Sequence, residues 1–249
     1  RFNSHTAKNL AKNLKLGLKK TKINSRQKTK GIILDLRGNP GGLLKQAIKV
    51  SNLFIINGRI ISTRGRHPSS NNDYEAYGKD LTEGLPIIII VNGKTASSAE
   101  ILAAALQDHG RAVVIGSASF GKGTIQTVIK LPNNGEIAIT WSRFQTPSGY
   151  FLDKLGVPPS ICVTGIEASI ANEYIEKALK QSNHYKKTRL AWQDTTIEEK
   201  LKRNRLKKSC PPTNKRNPID IMIAEKLLND SSLFSRVKAL NLSIASTDG

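Results

Sequence analysis

Ser97 and Lys122 are the two residues of this sequence whose type and setting point to covalent chemistry. Ser97 stands in Thr95-Ala-Ser-Ser-Ala-Glu100, at the head of an Ala-rich stretch that follows an apolar run and an Asn92-Gly93 turn. A hydroxyl placed there lies near free helix N–H groups, which stabilise negative charge developing on an attacked carbonyl. The same residues also read as a helix cap, because Ser97 followed three residues later by Glu100 makes a capping box. A serine nucleophile needs a base, and where no histidine is placed to act a neutral lysine amine can serve. Lys122 sits between Gly121 and Gly123, which allow close approach. Burial is expected to strip its proton, since desolvation lowers a lysine pKa from about 10.4 by as much as three to five units. Gln126 lies on the same side of a strand as Lys122 and Thr124, where its amide can orient the amine. Backbone N–H groups in the turn Asn39-Pro-Gly-Gly42 would point outward and could form an oxyanion hole, although an ordinary glycine turn accounts for the same residues.

Other motifs lead elsewhere. Residues 116–124, Gly-Ser-Ala-Ser-Phe-Gly-Lys-Gly-Thr, look like a phosphate-binding P-loop, but Gly123 occupies the place of the required Ser or Thr, and a strand-like run follows instead of a helix. His109 beside Asp108 invites a Ser/His/Asp triad, yet it closes a helix before Gly110 and suits the helix carboxyl end better. Cys162 and Cys210 are too few and too isolated for a disulfide framework or a thiolate metal site, and the four histidines lie far apart. Trp141 and Phe144 alternate with polar residues as core or cleft lining, while Trp192 has too little context to assign.

The elements that must position these residues follow from apolar periodicity. Residues 31–36 and 86–91 read as buried strands, the first closed by the turn 37–42 and followed by a helix from Leu43. Residues 53–56 and 59–63 suggest a short strand pair around Asn57-Gly58, and the polar residues 65–84 a loop. A helix over 96–108, a strand over 111–116, a hairpin pairing 124–131 with 136–144, and helices over 166–180 and 219–228 complete the reading. An amphipathic helix at the start of the chain should end near Gly17. Repeated strand, strand, helix order implies an α/β core.

The chain has 249 residues and a formal charge of +20, of which +18 falls in residues 1–30 and 186–216. The rest is close to neutral, so the core is not itself basic. Such arms could grip nucleic acid or an anionic surface. They lack interleaved aromatics and recognised nucleic-acid-binding signatures, so a solvated basic surface is the simpler reading, with no specific nucleic acid expected. Residues 203–218, with Cys210-Pro-Pro212 and Pro218, read as a linker with little fixed structure. No apolar run approaches the roughly 18–20 residues of a membrane helix.

Taken together, residues 31–42 (Gly-Ile-Ile-Leu-Asp-Leu-Arg-Gly-Asn-Pro-Gly-Gly), Thr95 to Ile101 with Ala104-Ala-Leu-Gln-Asp108, and residues 120–126 (Phe-Gly-Lys-Gly-Thr-Ile-Gln) resemble the carboxy-terminal processing, or tail-specific, serine peptidases of bacterial envelopes and plastid lumens. That family spaces its serine nucleophile and lysine base 25 residues apart, which selects Ser97 over Ser98 for Lys122. The resemblance implies Ser97 as nucleophile, Lys122 as general base, Gln126 as its orienter, and the N–H groups of Gly41 and Ser98 as oxyanion hole. It implies a crotonase-like α/β fold, no cofactor, and protein or peptide substrates with exposed, apolar C-termini. It also implies residence in a bacterial periplasm or envelope. The likeness spans about residues 1–165, taken as the catalytic core, with 166–249 a basic, partly flexible helical extension containing a linker over about 186–218. The family's PDZ domain is expected ahead of Phe2, so the chain reads as a fragment. The family's Ser-Ala-Ser-Ala-Ser-Glu appears here as Thr95-Ala-Ser-Ser-Ala-Glu100, a change just after the nucleophile that bears on how the helix start packs. The family's Pro-Asp is replaced within Gly156-Val-Pro-Pro-Ser160. A catalytically idle homologue that binds peptide tails is the alternative, and a homo-oligomer and contact of the basic segments with an anionic surface stay open.

Overall fold

The computed structural model describes residues 1–23, 29–164, 170–195 and 199–242. Its centre is a parallel sheet in the order β1 (Ile32–Asp35), β4 (Ile87–Val91), β5 (Val113–Gly116) and β8 (Ile161–Cys162). Every residue of β4 is buried, as an uninterrupted run of β-branched residues requires of a central parallel strand. Alternate side chains serve opposite faces. Ile87, Ile89 and Val91 join a core with α2 (Leu44–Ser51) and α3 (Ser98–Asp108), whereas Ile88 and Ile90 join a second core. That second core is filled by α4 (Ala171–Lys180), α7 (Ile219–Asn229) and α8 (Ser231–Leu242), through Tyr174, Ile223, Leu227 and Val237. Each such side chain contributes about 1.5–3 kcal/mol by leaving water.

The other sheet is antiparallel, in the order β3 (Asn72–Tyr77), β2 (Asn57–Arg64), β7 (Glu136–Gln145) and β6 (Thr124–Lys130). The β6–β7 hairpin runs beyond its pairing with β2 and leaves Ile129, Ile137 and Ile139 exposed. The architecture is therefore mixed α/β, as expected.

Several elements differ from the sequence reading. Residues 52–54 form the turn that closes α2, residues 55–56 form no strand, and β2 pairs instead with β3, inside the stretch read as a loop. β3 is an edge strand with one mostly exposed face, so it lacks an apolar run. The first helix, α1 (Thr6–Ile23), passes through Gly17, since one exposed glycine among good helix formers costs only about 1 kcal/mol. The start of the helix expected over 166–180 falls partly outside the described residues.

The stretch read as a linker is the largest departure. It holds α5 (Ser182–Gln193) and α6 (Lys200–Lys207), and a disulfide joins Cys210 to Cys162 at the end of β8. The two cysteines therefore do form a staple, over a separation of 48 residues that hid it. Arg189 of α5 is buried against Asp108 at 2.5 Å, with side-chain exposures of 2% and 1%, and lies over the Tyr150 ring. Trp192, also in α5, meets the same ring edge-on.

Candidate active site

Parallel pairing brings the carboxyl ends of β1, β4 and β5 side by side, where ligands of open α/β sheets bind. The loops leaving those three ends carry Gly41, Ser97 and Lys122 respectively. Their contacts are dense. The Ala96 amide donates to the Asn39 carbonyl at 2.9 Å, the Phe120 amide to the Thr95 carbonyl at 2.9 Å, and the Thr95 hydroxyl to the Leu36 carbonyl at 2.8 Å.

Ser97 precedes α3 with φ 55° and ψ −123°, a region costing a non-glycine residue about 1–3 kcal/mol. Ser97 and Glu100 form the capping box expected from the sequence, and the Glu100 amide also donates to the Ser97 carbonyl at 2.8 Å. The half of the box that matters is Glu100. Its carboxylate is fully buried and accepts four hydrogen bonds. Oε2 takes the Ser97 amide at 2.7 Å and the Lys122 amide at 2.9 Å, while Oε1 takes the Gly121 amide at 2.6 Å and the Ser119 hydroxyl at 2.5 Å. One carboxylate oxygen thus holds the backbones of both candidate dyad residues. Burial pushes the Glu100 carboxyl above its ordinary range, and the four donors pull the other way.

The same contacts explain why residues 116–124 are no phosphate cradle. The amides of Gly121 and Lys122, which would face a phosphate, already donate to an internal carboxylate. Sequence pattern showed Glu100 only as a cap, because its other partners lie about twenty residues away.

Gly41 adopts φ 87° and packs directly on the Ser97 turn, where a Cβ would come within 2.8 Å of both Ser97 Cβ and the Ser98 nitrogen. The two expected oxyanion donors are therefore neighbours. The Gly41 N–H itself donates to Asn39 Oδ1 at 3.0 Å, so an incoming oxyanion would have to displace the Asn39 amide. Ser98 ties the two loops through its hydroxyl, which donates to the Gly42 carbonyl at 2.8 Å. This bond is what serine contributes at the position where the sequence departs from the family pattern.

Lys122 itself is exposed, contrary to the burial expected of a neutral lysine base. The physical reason is local. Its flanking glycines lie against the backbone of residues 152–156, with a Cβ on Gly123 meeting Asp153 N at 2.0 Å, so the lysine leaves from the rim of the loop. Gln126 is also exposed, in β6 opposite Thr140, and among the described residues no hydrogen bond joins it to Lys122. His109 lies apart, its Nε2 donating to the Arg59 carbonyl at 2.8 Å, which removes the triad reading. Among the described residues, no three His, Cys, Asp or Glu side chains converge as a metal site, and no helix is long and apolar enough to cross a membrane.

Comparison with known proteins matches residues 1–163 to the profile of peptidase family S41. The chain is 50% identical over 136 residues to a carboxy-terminal-processing protease of Bartonella bacilliformis, covering 55% of this chain and 31% of that protein. It is 39% identical over 132 residues to the carboxy-terminal processing protease CtpA of Bacillus subtilis, covering 53% and 28%. Among solved structures it resembles a photosystem II D1 C-terminal processing protease at a TM-score of 0.54 and 33% identity, over 64% of this chain and 39% of that one. The chain spans about a third of the length of the curated relatives it matches.

Proposed function

The chain belongs to peptidase family S41, and from that premise we propose that it carries the catalytic centre of a serine endopeptidase acting on protein substrates near unstructured, apolar C-termini. Ser97 Oγ attacks the peptide carbonyl while the Lys122 amine takes its proton and later gives it to the leaving amine. The acyl-enzyme on Ser97 is then hydrolysed. Gly41 and Ser98 N–H groups receive the oxyanion, and Gln126 orients Lys122 as the amine swings inward. The observation that carries this reading is the Glu100 carboxylate, which gathers the Ser97 and Lys122 amides on one oxygen. Since Lys122 is exposed, the substrate chain itself supplies the desolvation when it covers the loop. The sheet-and-helix order is in keeping with a crotonase-like core. An extracytoplasmic site of action is supported by the Cys162–Cys210 disulfide, because oxidising compartments preserve such bonds.

Cleavage of an unfolded reporter with an apolar C-terminus, followed by mass spectrometry, tests the proposal. The parent chain should cut and Ser97→Ala should not. The exposed Lys122 and the Gly41 N–H held by Asn39 favour one rival, an idle homologue that binds peptide tails. Binding of the reporter without turnover by the parent chain would identify it.

A further inference from the structure

Lys207, the last residue of α6, lies beyond the residues matched to the family yet reaches the loop of Lys122. Its Nζ donates to the Phe120 carbonyl at 2.5 Å. The other side of that same peptide unit is the Gly121 N–H, which donates to Glu100 Oε1 at 2.6 Å. A trans peptide is planar, with its C=O and N–H pointing in opposite directions. The Phe120–Gly121 plane is therefore gripped at one end by a cation and at the other by a buried carboxylate, with its dipole aligned between them. Lys122 is the next residue, and its amide goes to the same carboxylate.

Lys207 is not a loose surface side chain. Leu206 before it packs on the main core, and the chain after it is fastened to each loop of the site. Cys210 is bonded to Cys162. The Thr213 amide donates to Ser117 Oγ at 3.1 Å, and the Thr213 carbonyl accepts the Gly93 amide at 2.7 Å. Arg216 donates to the Arg37 carbonyl at 3.2 Å, and Arg37 in turn binds the Asn217 carbonyl at 3.0 Å and Asp220 at 2.9 Å. The strap thus crosses the ends of β5, β4 and β1 in that order. Burial draws the Lys207 ammonium below its ordinary range, and the charge of Glu100 opposes this.

We propose that Lys207 is a positioning residue for the Ser97 and Lys122 site, fixing with Glu100 the peptide plane from which Lys122 departs. This rests on the peptidase reading, and its test is chosen to be separable from it. Amide hydrogen exchange, followed residue by residue by NMR on the full chain, is compared for the parent, Lys207→Met and Lys207→Arg. Removal of the cation should cut protection at Gly121 and Lys122 by about tenfold while Ile89 and Val114 in the central strands keep theirs, and Arg should restore most of it. The reporter assay should show a matching fall in kcat with KM little changed, again rescued by Arg. Parental protection in Lys207→Met, or a loss spread equally over Ile89 and Val114, would overturn the proposal. Selective loss of protection in a chain that never cleaves the reporter would keep Lys207 as the anchor of the loop and reject the peptidase instead.

Discussion

A side chain on Gly41 has no room. Its Cβ would lie 2.6 Å from the Ala96 carbonyl and 2.8 Å from Ser97 Cβ, at a φ of 87°. Gly41→Ala should therefore lose about 1–3 kcal/mol of stability from backbone strain, read by denaturant unfolding, and more than tenfold in cleavage as the Ser97 turn is displaced. Glu100→Gln keeps the shape but turns an acceptor oxygen into an NH2 facing donors, and should cost about 3 kcal/mol or more. A proton on Glu100 weakens the same contacts, so exchange protection of the Gly121 and Lys122 amides should fall as the pH drops through a value above the ordinary carboxylate range, the direction in which burial pushes this group. The sign separates this from acid unfolding. A carboxyl raised on folding adds stability at low pH and withdraws it as pH rises through the raised value, so Glu100 does not itself drive acid denaturation. Protection of those amides that persists down to the ordinary carboxylate range, in a chain still folded there, would exclude this role. At this scale Ser97, Gly41 and Glu100 could be seen in their local motifs, but the four-bond role of Glu100 could not, because three of its partners are Ser119, Gly121 and Lys122.

Elements with strong local patterns were readable from sequence: β4 from its apolar run, α3 from its cap and alanines, β6 and β7 from the Pro132 to Gly135 turn. Those whose order comes from distant partners were not. β3 takes its place from β2, and α5 from the burial of Arg189 on Asp108 and of Trp192 on Tyr150. A basic, proline-flanked stretch looks like a linker when such partners cannot be seen. Arg189→Met would leave Asp108 buried without its cation, and should lower stability at neutral pH by about 3–5 kcal/mol in chemical denaturation. A change below about 1 kcal/mol would mean that α5 is not docked on α3 as described.

For the whole molecule, the positive charge is less free than composition suggests. Arg189 and Arg203 are buried, and Lys207 and Arg216 bind loops of the core, so four of the eleven basic residues in 186–216 serve packing rather than a solvated arm. The helices after residue 170 also cover a complete face of the central sheet. A chain ending at residue 165 would expose Ile88, Ile90, Val113 and Ile115, and should be insoluble or bind a hydrophobic dye without a cooperative unfolding transition. Cooperative unfolding of that piece would show that the family-matched part folds alone.

The most direct measurement on the Ser97 and Lys122 dyad is turnover of the reporter by Ser97→Ala, Lys122→Ala and their double variant. Groups acting in one proton transfer should each remove nearly all activity, with the double variant little worse than either single one. Losses that multiply, or cleavage that survives Lys122→Ala, would contradict the assignment of Lys122 as the base that activates Ser97.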